Sequence, residues 1–242
     1  MHELLEDVLN KGLFVNTRQE VVTINSHTSK AQCDFLQSLI KDHDCKESIE
    51  IGFAYGTSTL AIAEAIQGNG GVHTVIDKFE NEWWGGNGLD LLKQAGIEID
   101  FREEWCYEAL PALLHENKKF DFAYIDSTKQ FDWILMNFFY IDKLLNDGGI
   151  IVFDDADTPG IRKALRLIVN FPNYQIAGVF PVNNKPSFYR RMLSSFKVIP
   201  YSDKIFRKEI LTTDYERGIN AGCVALQKVG KDERIWNWHE EF

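Results

Sequence analysis

The chain of 242 residues is 45% hydrophobic and 13% aromatic, enough for one large core, and a single domain is the default for an α/β chain of this length. A net charge of -10 argues against a nucleic-acid binder, which needs a basic face to track phosphates, but not against a small anionic substrate met by a few local cations. No segment reaches the roughly 20 apolar residues of a membrane helix. The start "MHELLEDVLNKG" has no apolar run of signal-peptide length, and Cys33, Cys45, Cys106 and Cys223 fall in no CxxC or Cys/His metal spacing. The expectation is a soluble cytoplasmic protein with reduced thiols, no membrane and no nucleic-acid partner; the sequence leaves a homodimer open.

Residues 1–47 read as a helical preface, with Ser29 capping a helix whose apolar positions Ala31, Phe35, Leu36, Leu39 and Ile40 recur at helical spacing. Strands and helices then alternate. "SIEIGF", "GVHTVID", "IEIDFRE", "FDFAYID" and "GIIVFDD" read as strands. Between and after them, "TSTLAIAEAIQ", "GLDLLKQAG", "CYEALPALLHE", "FDWILMNFFYIDKLL" and "PGIRKALRLIVNF" read as helices. Strands separated by helices require crossover connections, hence a mostly parallel sheet. "YQIAGVFPV" and "INAGCVALQKV" add two strands, paired near one edge. The basic stretch "SFYRRMLSSFKVIPYSDKIFRK" between them reads as an excursion over about 180–215 that shapes an acceptor pocket, and the tail "DERIWNWHEEF" as a segment docked on the surface. The expected fold is α/β: a Rossmann-like, seven-stranded, mostly parallel sheet with helices on both faces. Residues 48–242 form its main domain behind the preface, all in one compact unit.

In such a sheet ligands sit beyond the carboxyl ends of the strands, where strand order reverses. At the first strand end, Gly52 and Gly56 permit a tight turn and close backbone approach. Thr57 and Ser58 then open a helix whose free N–H groups attract anionic groups. A plain strand–helix turn would use the same glycines. Glu50, inside the strand, is a buried carboxylate that needs donors. Asp77, ending the second strand, can accept both hydroxyls of a ribose; a solvated strand-end acid is the alternative. Glu104, Trp105 and Cys106 at the third strand end can flank an adenine, although Trp105 can equally be plain packing.

Asp126 ends the fourth strand, and Asp154 and Asp155 end the fifth. If these two strands are neighbours they lie about 4.8 Å apart, and three carboxylates would then converge beside the glycine loop. Unaided they must repel or protonate. A divalent cation resolves this, and oxygen-only ligands suit Mg²⁺, Ca²⁺ or Mn²⁺ rather than Zn²⁺. Loop acids and helix caps are the bland alternative, and Asp157 falls in that group. Lys129, three residues past Asp126, can serve as a base if partial desolvation lowers its pKa; a surface lysine is the ordinary case.

The order of "SIEIGFAYGTSTLAIA", "HTVIDKFE", "FDFAYIDSTKQF" and "LLNDGGIIVFDDAD" resembles class I S-adenosylmethionine-dependent methyltransferases. More narrowly it is similar to the metal-assisted small-molecule O-methyltransferases of catechol and caffeoyl-CoA type, and to a bacterial branch that methylates sugars and antibiotic precursors. The resemblance runs from Ser48 to Asn173, and Ser127 departs from the glycine of the bacterial branch. It implies S-adenosylmethionine as cofactor, a divalent cation (Mg²⁺ first), and a small hydroxylated molecule as methyl acceptor. It implies that Glu50, Gly52, Gly56 and Thr57 shape the cofactor loop, that Ser58 meets the methionine carboxylate, and that Asp77 holds the ribose. Trp105, Cys106 and Asp126 complete the cofactor site. Asp126, Asp154 and Asp155 match the metal ligands, and Lys129 matches the base, with Asp126 beside it in the catalytic set. Trp83 and Trp84 would wall the substrate pocket or simply pack. A non-catalytic protein that binds S-adenosylmethionine or another nucleotide as a regulatory partner is the rival reading. A Rossmann-type dehydrogenase is disfavoured by the missing third glycine.

Overall fold

The computed structural model describes residues 1–26, 28–182 and 212–242. Alternation along the central strands explains the layers. On β6 (Phe120–Ile125), Phe122 and Tyr124 point to one face, and Ala123 and Ile125 to the other; all four are buried. On β7 (Leu145–Phe153), Ile150 and Val152 alternate with Ile151 and Phe153 in the same way. Strands buried on both faces need helices on both faces. One side is covered by α5 (Cys106–His115), α6 (Phe131–Leu144) and α7 (Pro159–Ile168), which contribute Leu110, Phe138 and Leu165 to the core. The other is covered by α2 (Lys30–Asp42) and α3 (Thr57–Gly68), with Leu36, Ile40 and Ile66. As expected, Ser29 caps α2, its hydroxyl accepting from the Gln32 N–H.

The preface is more than helical. After α1 (Glu3–Lys11) comes an antiparallel hairpin of β1 (Leu13–Val15) and β2 (Val21–Thr23), too short to show an alternation in the sequence. Leu5, Val8 and Phe14 share a core with Leu60 of α3 and Leu91 of α4 (Asn87–Ala95), so these residues pack into the same body as the sheet.

The remaining strands are β3 (Glu47–Ile51), β4 (Val72–Ile76), β5 (Asp100–Arg102), β8 (Tyr174–Val182) and β9 (Ala221–Lys228). Spatial order is β5-β4-β3-β6-β7-β9-β8. The first five are parallel, while β9 is antiparallel to both β7 and β8, so the expected late pair forms one edge with β8 outermost. β7 starts at Leu145 rather than Gly149. Leu145 pairs with Phe120 before an irregularity in register, and Gly148 at φ +88° accommodates the excursion. Most of the basic excursion lies outside the described residues. The tail touches the domain through Trp238 and Arg234, both against Phe171, while Trp236 is 96% exposed.

The chain leaves β3 toward β4 and β5, then returns to place β6 on the other side of β3. This reversal is the switch point, and the register aligns the strand ends around it. Ile51 pairs with Ile76 and Ile125, and Ile125 with Phe153. Gly52, Asp77, Asp126 and Asp154 each follow those residues directly and therefore stand in one row. The backbone stitches the row together: Gly52 N–H donates to Ile76 O, Asp126 N–H to Ile51 O, and Asp154 N–H to Ile125 O.

Candidate active site

The glycine loop sits in the crevice between β3 and β6. A Cβ on Gly52 would lie 2.0 Å from the carbonyl oxygen of Asp126, and the residue has φ +101°, so only glycine suits the position. Asp77 holds the loop from the β4 side. One oxygen accepts from the Phe53 N–H at 2.8 Å, and the other from the Phe79 N–H at 2.7 Å. Asp77 also lines a cavity, and a carboxylate with these loop contacts keeps acceptor capacity for a further donor.

Beneath the loop Glu50 is fully buried and satisfied. It accepts from the Ser58 hydroxyl at 2.5 Å and pairs with His73 Nε2 at 3.0 Å, and His73 Nδ1 meets the Ser48 hydroxyl at 2.8 Å. The donors that Glu50 needs therefore come from β4 and from the first turn of α3. The Ser58 hydroxyl is spent on Glu50, so the part of Ser58 that remains for a carboxylate is its main-chain N–H at the helix start.

A cavity of about 510 Å³ opens between the row and the loop after β4. Gly52, Phe53, Asp77, Cys106 and Asp126 line it, and it is rich in aromatic rings. Trp83 stacks on Phe79 at 3.6 Å between centroids, and Trp105 meets Phe79 edge-on at 5.0 Å. Trp133 from α6 closes the wall at 6.0 Å from Trp105. Both Trp83 and Trp84 line this cavity, and Trp83 is still 64% exposed. Cys106 is buried, and burial pushes its thiol up to about 11, so it stays protonated and inert.

Glu80 holds the loop that carries these tryptophans. One of its oxygens accepts from the Gly88 and Leu89 N–H groups at 2.8 and 3.1 Å, capping α4, and the other is buried without a partner. Burial pushes this carboxyl up to about 8. The unfolded chain gives up the proton near pH 4.5, whereas the folded one keeps it to about 8, so stability is full at low pH and is lost across that interval. Glu80→Gln removes the liability. We expect the variant's advantage over wild type in urea unfolding to grow by about 4 kcal/mol between pH 5 and pH 8.5. An equal difference at both pH values would refute the assignment.

A second cavity of about 250 Å³ adjoins the first and shares Ser26, Phe53, Ala54 and Asp126 with it. Its floor is the acidic cluster. Asp126, Asp154 and Asp155 each offer an oxygen within 4.8 Å of the others, the one such group among the described residues. Asp154 is fixed on all sides. Gln32 Nε2 donates to it at 2.9 Å, the Tyr124 hydroxyl at 2.7 Å and its neighbour's N–H at 2.8 Å, and Cys223 Sγ lies 2.9 Å away. Burial and then the Asp154 charge push the Asp126 carboxyl up to about 6. Asp155 adopts φ +47°, a conformation that aspartate tolerates better than most residues. Asp157 lies outside the cluster as an exposed loop acid, and Thr158 stands at the N-cap position of α7 with its hydroxyl donating to the Asp155 carbonyl at 2.8 Å.

Lys129 differs from expectation. It stands at the cluster, but its pKa is not lowered. Burial alone would lower it; the facing Asp126 and Asp155 outweigh burial and hold it above the ordinary lysine value. Its ammonium lies 2.5 Å from Asp126 and 2.8 Å from Asp155.

Gln32, Tyr124, Cys223 and Trp133 are site residues that sequence reasoning missed. Tyr124 carried a signal: a tyrosine inside the apolar run before Asp126 needs a partner for its buried hydroxyl. Gln32 and Cys223 reach the site only through the docking of α2 and the pairing of β9, which no local pattern announces.

Residues 49–156 match the model of a family described as a methyltransferase domain. The fold is shared with the O-methyltransferase TomG from Streptomyces achromogenes, solved with S-adenosylmethionine. The TM-score is 0.64 at 16% identity, covering 95% of this chain and 91% of that one. The matched stretch, residues 49–156, is thus similar to a methyltransferase domain and carries the parallel part of the sheet and the strand ends described above. In sequence the chain is similar to caffeoyl-CoA O-methyltransferases and to another plant methyltransferase. The caffeoyl-CoA O-methyltransferase of Mesembryanthemum crystallinum is 32% identical over 163 residues, 60% of each chain. Tapetum-specific methyltransferase 1 of Arabidopsis thaliana is 34% identical over 129 residues, 50% of this chain and 52% of that one. The chain therefore spans about half to three-fifths of the length of these relatives. Among the described residues no helix is long and apolar enough to cross a membrane.

Proposed function

We propose that the protein transfers a methyl group from S-adenosylmethionine to a hydroxyl of a small molecule, with a divalent cation held by Asp126, Asp154 and Asp155. The observation that carries this reading is the adjacency of the two cavities at the switch point. One is aromatic, with Asp77 at its edge; the other is floored by three carboxylates; Asp126 belongs to both. The donor set fits a hard cation, being oxygen-only with its geometry fixed by Gln32 and Tyr124. The names of the relatives support a hydroxylated acceptor, and the Ser26, Thr28, Gln32 and Thr57 lining of the smaller cavity suits one.

In this reading the aromatic cavity takes the adenosine, Asp77 accepts from the ribose, and the first turn of α3 faces the methionine carboxylate. S-adenosylmethionine supplies an electrophilic methyl on a sulfonium. The cation supplies positive charge that lowers the pKa of an acceptor hydroxyl. Lys129 would take the hydroxyl proton only after its carboxylate partners are engaged elsewhere and its ammonium has given its own proton to solvent. Most of the rate gain comes from alignment of acceptor and methyl and from fixed charge.

Calorimetry with S-adenosylhomocysteine and with NAD, followed by methyl-transfer assays on hydroxylated acceptors with Mg²⁺ or chelator, tests this. We expect S-adenosylhomocysteine to bind, NAD not to bind, and chelator to remove transfer. Undiminished transfer in chelator would remove the cation from the mechanism. Cofactor binding without transfer to any acceptor would favour the binding-only alternative.

A further inference from the structure

Lys129 stands where the cation would have to be served. Its ammonium touches two of the three carboxylates, at 2.5 and 2.8 Å, so it stands on two of the three groups that a cation would use. Ammonium and dication at contact distance from the same two carboxylates repel each other strongly in a partly desolvated site. They cannot both keep these partners.

The backbone leaves one way out. A Cβ on Gly160, in the first turn of α7, would lie 2.2 Å from the Lys129 carbonyl oxygen, so the main chain there is packed against α7 and cannot retreat. The side chain is about a third exposed and borders the smaller cavity. Rotation of that side chain into the cavity is the available motion.

We propose that Lys129 is the built-in counter-cation of the carboxylate cluster, occupying it until a divalent ion enters and swinging into the acceptor cavity when one does. The proposal rests on the cation-assisted reading above. It goes beyond it by assigning Lys129 a second role: it weakens metal binding and ties its own release toward the acceptor to metal occupancy. A lysine that acted only as a base would leave metal affinity unchanged when removed.

The test is Mn²⁺ binding to the full chain without cofactor or acceptor, followed by electron paramagnetic resonance and calorimetry. Lys129→Met removes the charge at similar length and should bind Mn²⁺ about tenfold more tightly than wild type, or better. Lys129→Arg keeps the charge and should stay within about threefold of wild type. Lys129→Gln serves the same comparison if the methionine variant does not fold cooperatively. Equal or weaker Mn²⁺ binding by Lys129→Met and Lys129→Gln overturns the proposal and leaves the cation site standing. No Mn²⁺ binding by wild type or either neutral variant overturns both.

Discussion

Asp154→Ala is expected to lose at least about 10³-fold in kcat/KM for methyl transfer while the protein stays folded and keeps its affinity for S-adenosylhomocysteine. Asp154 is the member of the cluster whose position is most firmly set, by Gln32, Tyr124, Cys223 and its neighbour's N–H. On the proposed reading, removing it deletes the cation ligand that cannot rotate away. Stability is pulled in two directions. The Tyr124 hydroxyl, fully buried, loses a carboxylate acceptor, at a cost of about 1–3 kcal/mol. Against this, Asp126 no longer faces the Asp154 charge that helps hold its carboxyl near 6. The net change in unfolding free energy should stay within about 2 kcal/mol. Asp154 does not line the larger cavity, so S-adenosylhomocysteine affinity should stay within about threefold of wild type. Radiolabelled methyl transfer, calorimetry and thermal unfolding read the three outcomes separately. Retained transfer would sink the cation site, and lost cooperativity would show that Asp154 is first a structural residue.

The strand ends were legible because a buried parallel strand announces itself. An apolar run such as Ile150–Phe153 that meets aspartates marks where the sheet stops and solvent begins. The convergence of Asp126 with Asp154 and Asp155 followed from the neighbouring of β6 and β7, which the register bears out. Legibility failed where a property belongs to a contact rather than to a segment. The pKa of Lys129 depends on which carboxylates face it at 2.5 and 2.8 Å, and sequence spacing offered only its proximity to one of them. The hairpin at residues 13–23 is stitched to the body by polar contacts, with Asn16 on Asn87 and Arg18 on the Gly85 carbonyl. Its three-residue strands are too brief for periodicity to register. The resemblance implies Ser58 at the methionine carboxylate; that its hydroxyl turns down to Glu50, beside His73, is a contact that no local pattern announces.

Gly52→Ala is expected to damage both the fold and cofactor binding. The glycine stands at the reversal of strand order, its N–H held by Ile76 O while Asp126 N–H is held by Ile51 O on the other side. β3 cannot move from either neighbour without breaking one of these bonds. A methyl group at Gly52 would sit 2.0 Å from the Asp126 carbonyl oxygen and 2.8 Å from its carbon, on backbone that no rotamer change can relieve. The conformation at φ +101° adds strain for any side chain. Collision and strain together should cost about 3 kcal/mol or more, or roughly 10 °C in Tm for a chain of this size. The functional loss should be larger than the stability loss. The same displacement moves Asp126 away from Asp154 and opens the loop that Asp77 holds, so S-adenosylhomocysteine affinity should fall about 100-fold or more. Gly148→Ala separates the two causes. Gly148 also has positive φ, at +88°, but its added Cβ meets nothing within 4 Å. It should show the strain alone, about 1–2 kcal/mol, with cofactor affinity untouched. If the two alanine variants unfold at the same temperature and bind S-adenosylhomocysteine equally well, the close approach of Gly52 to Asp126 is not what holds the crevice together.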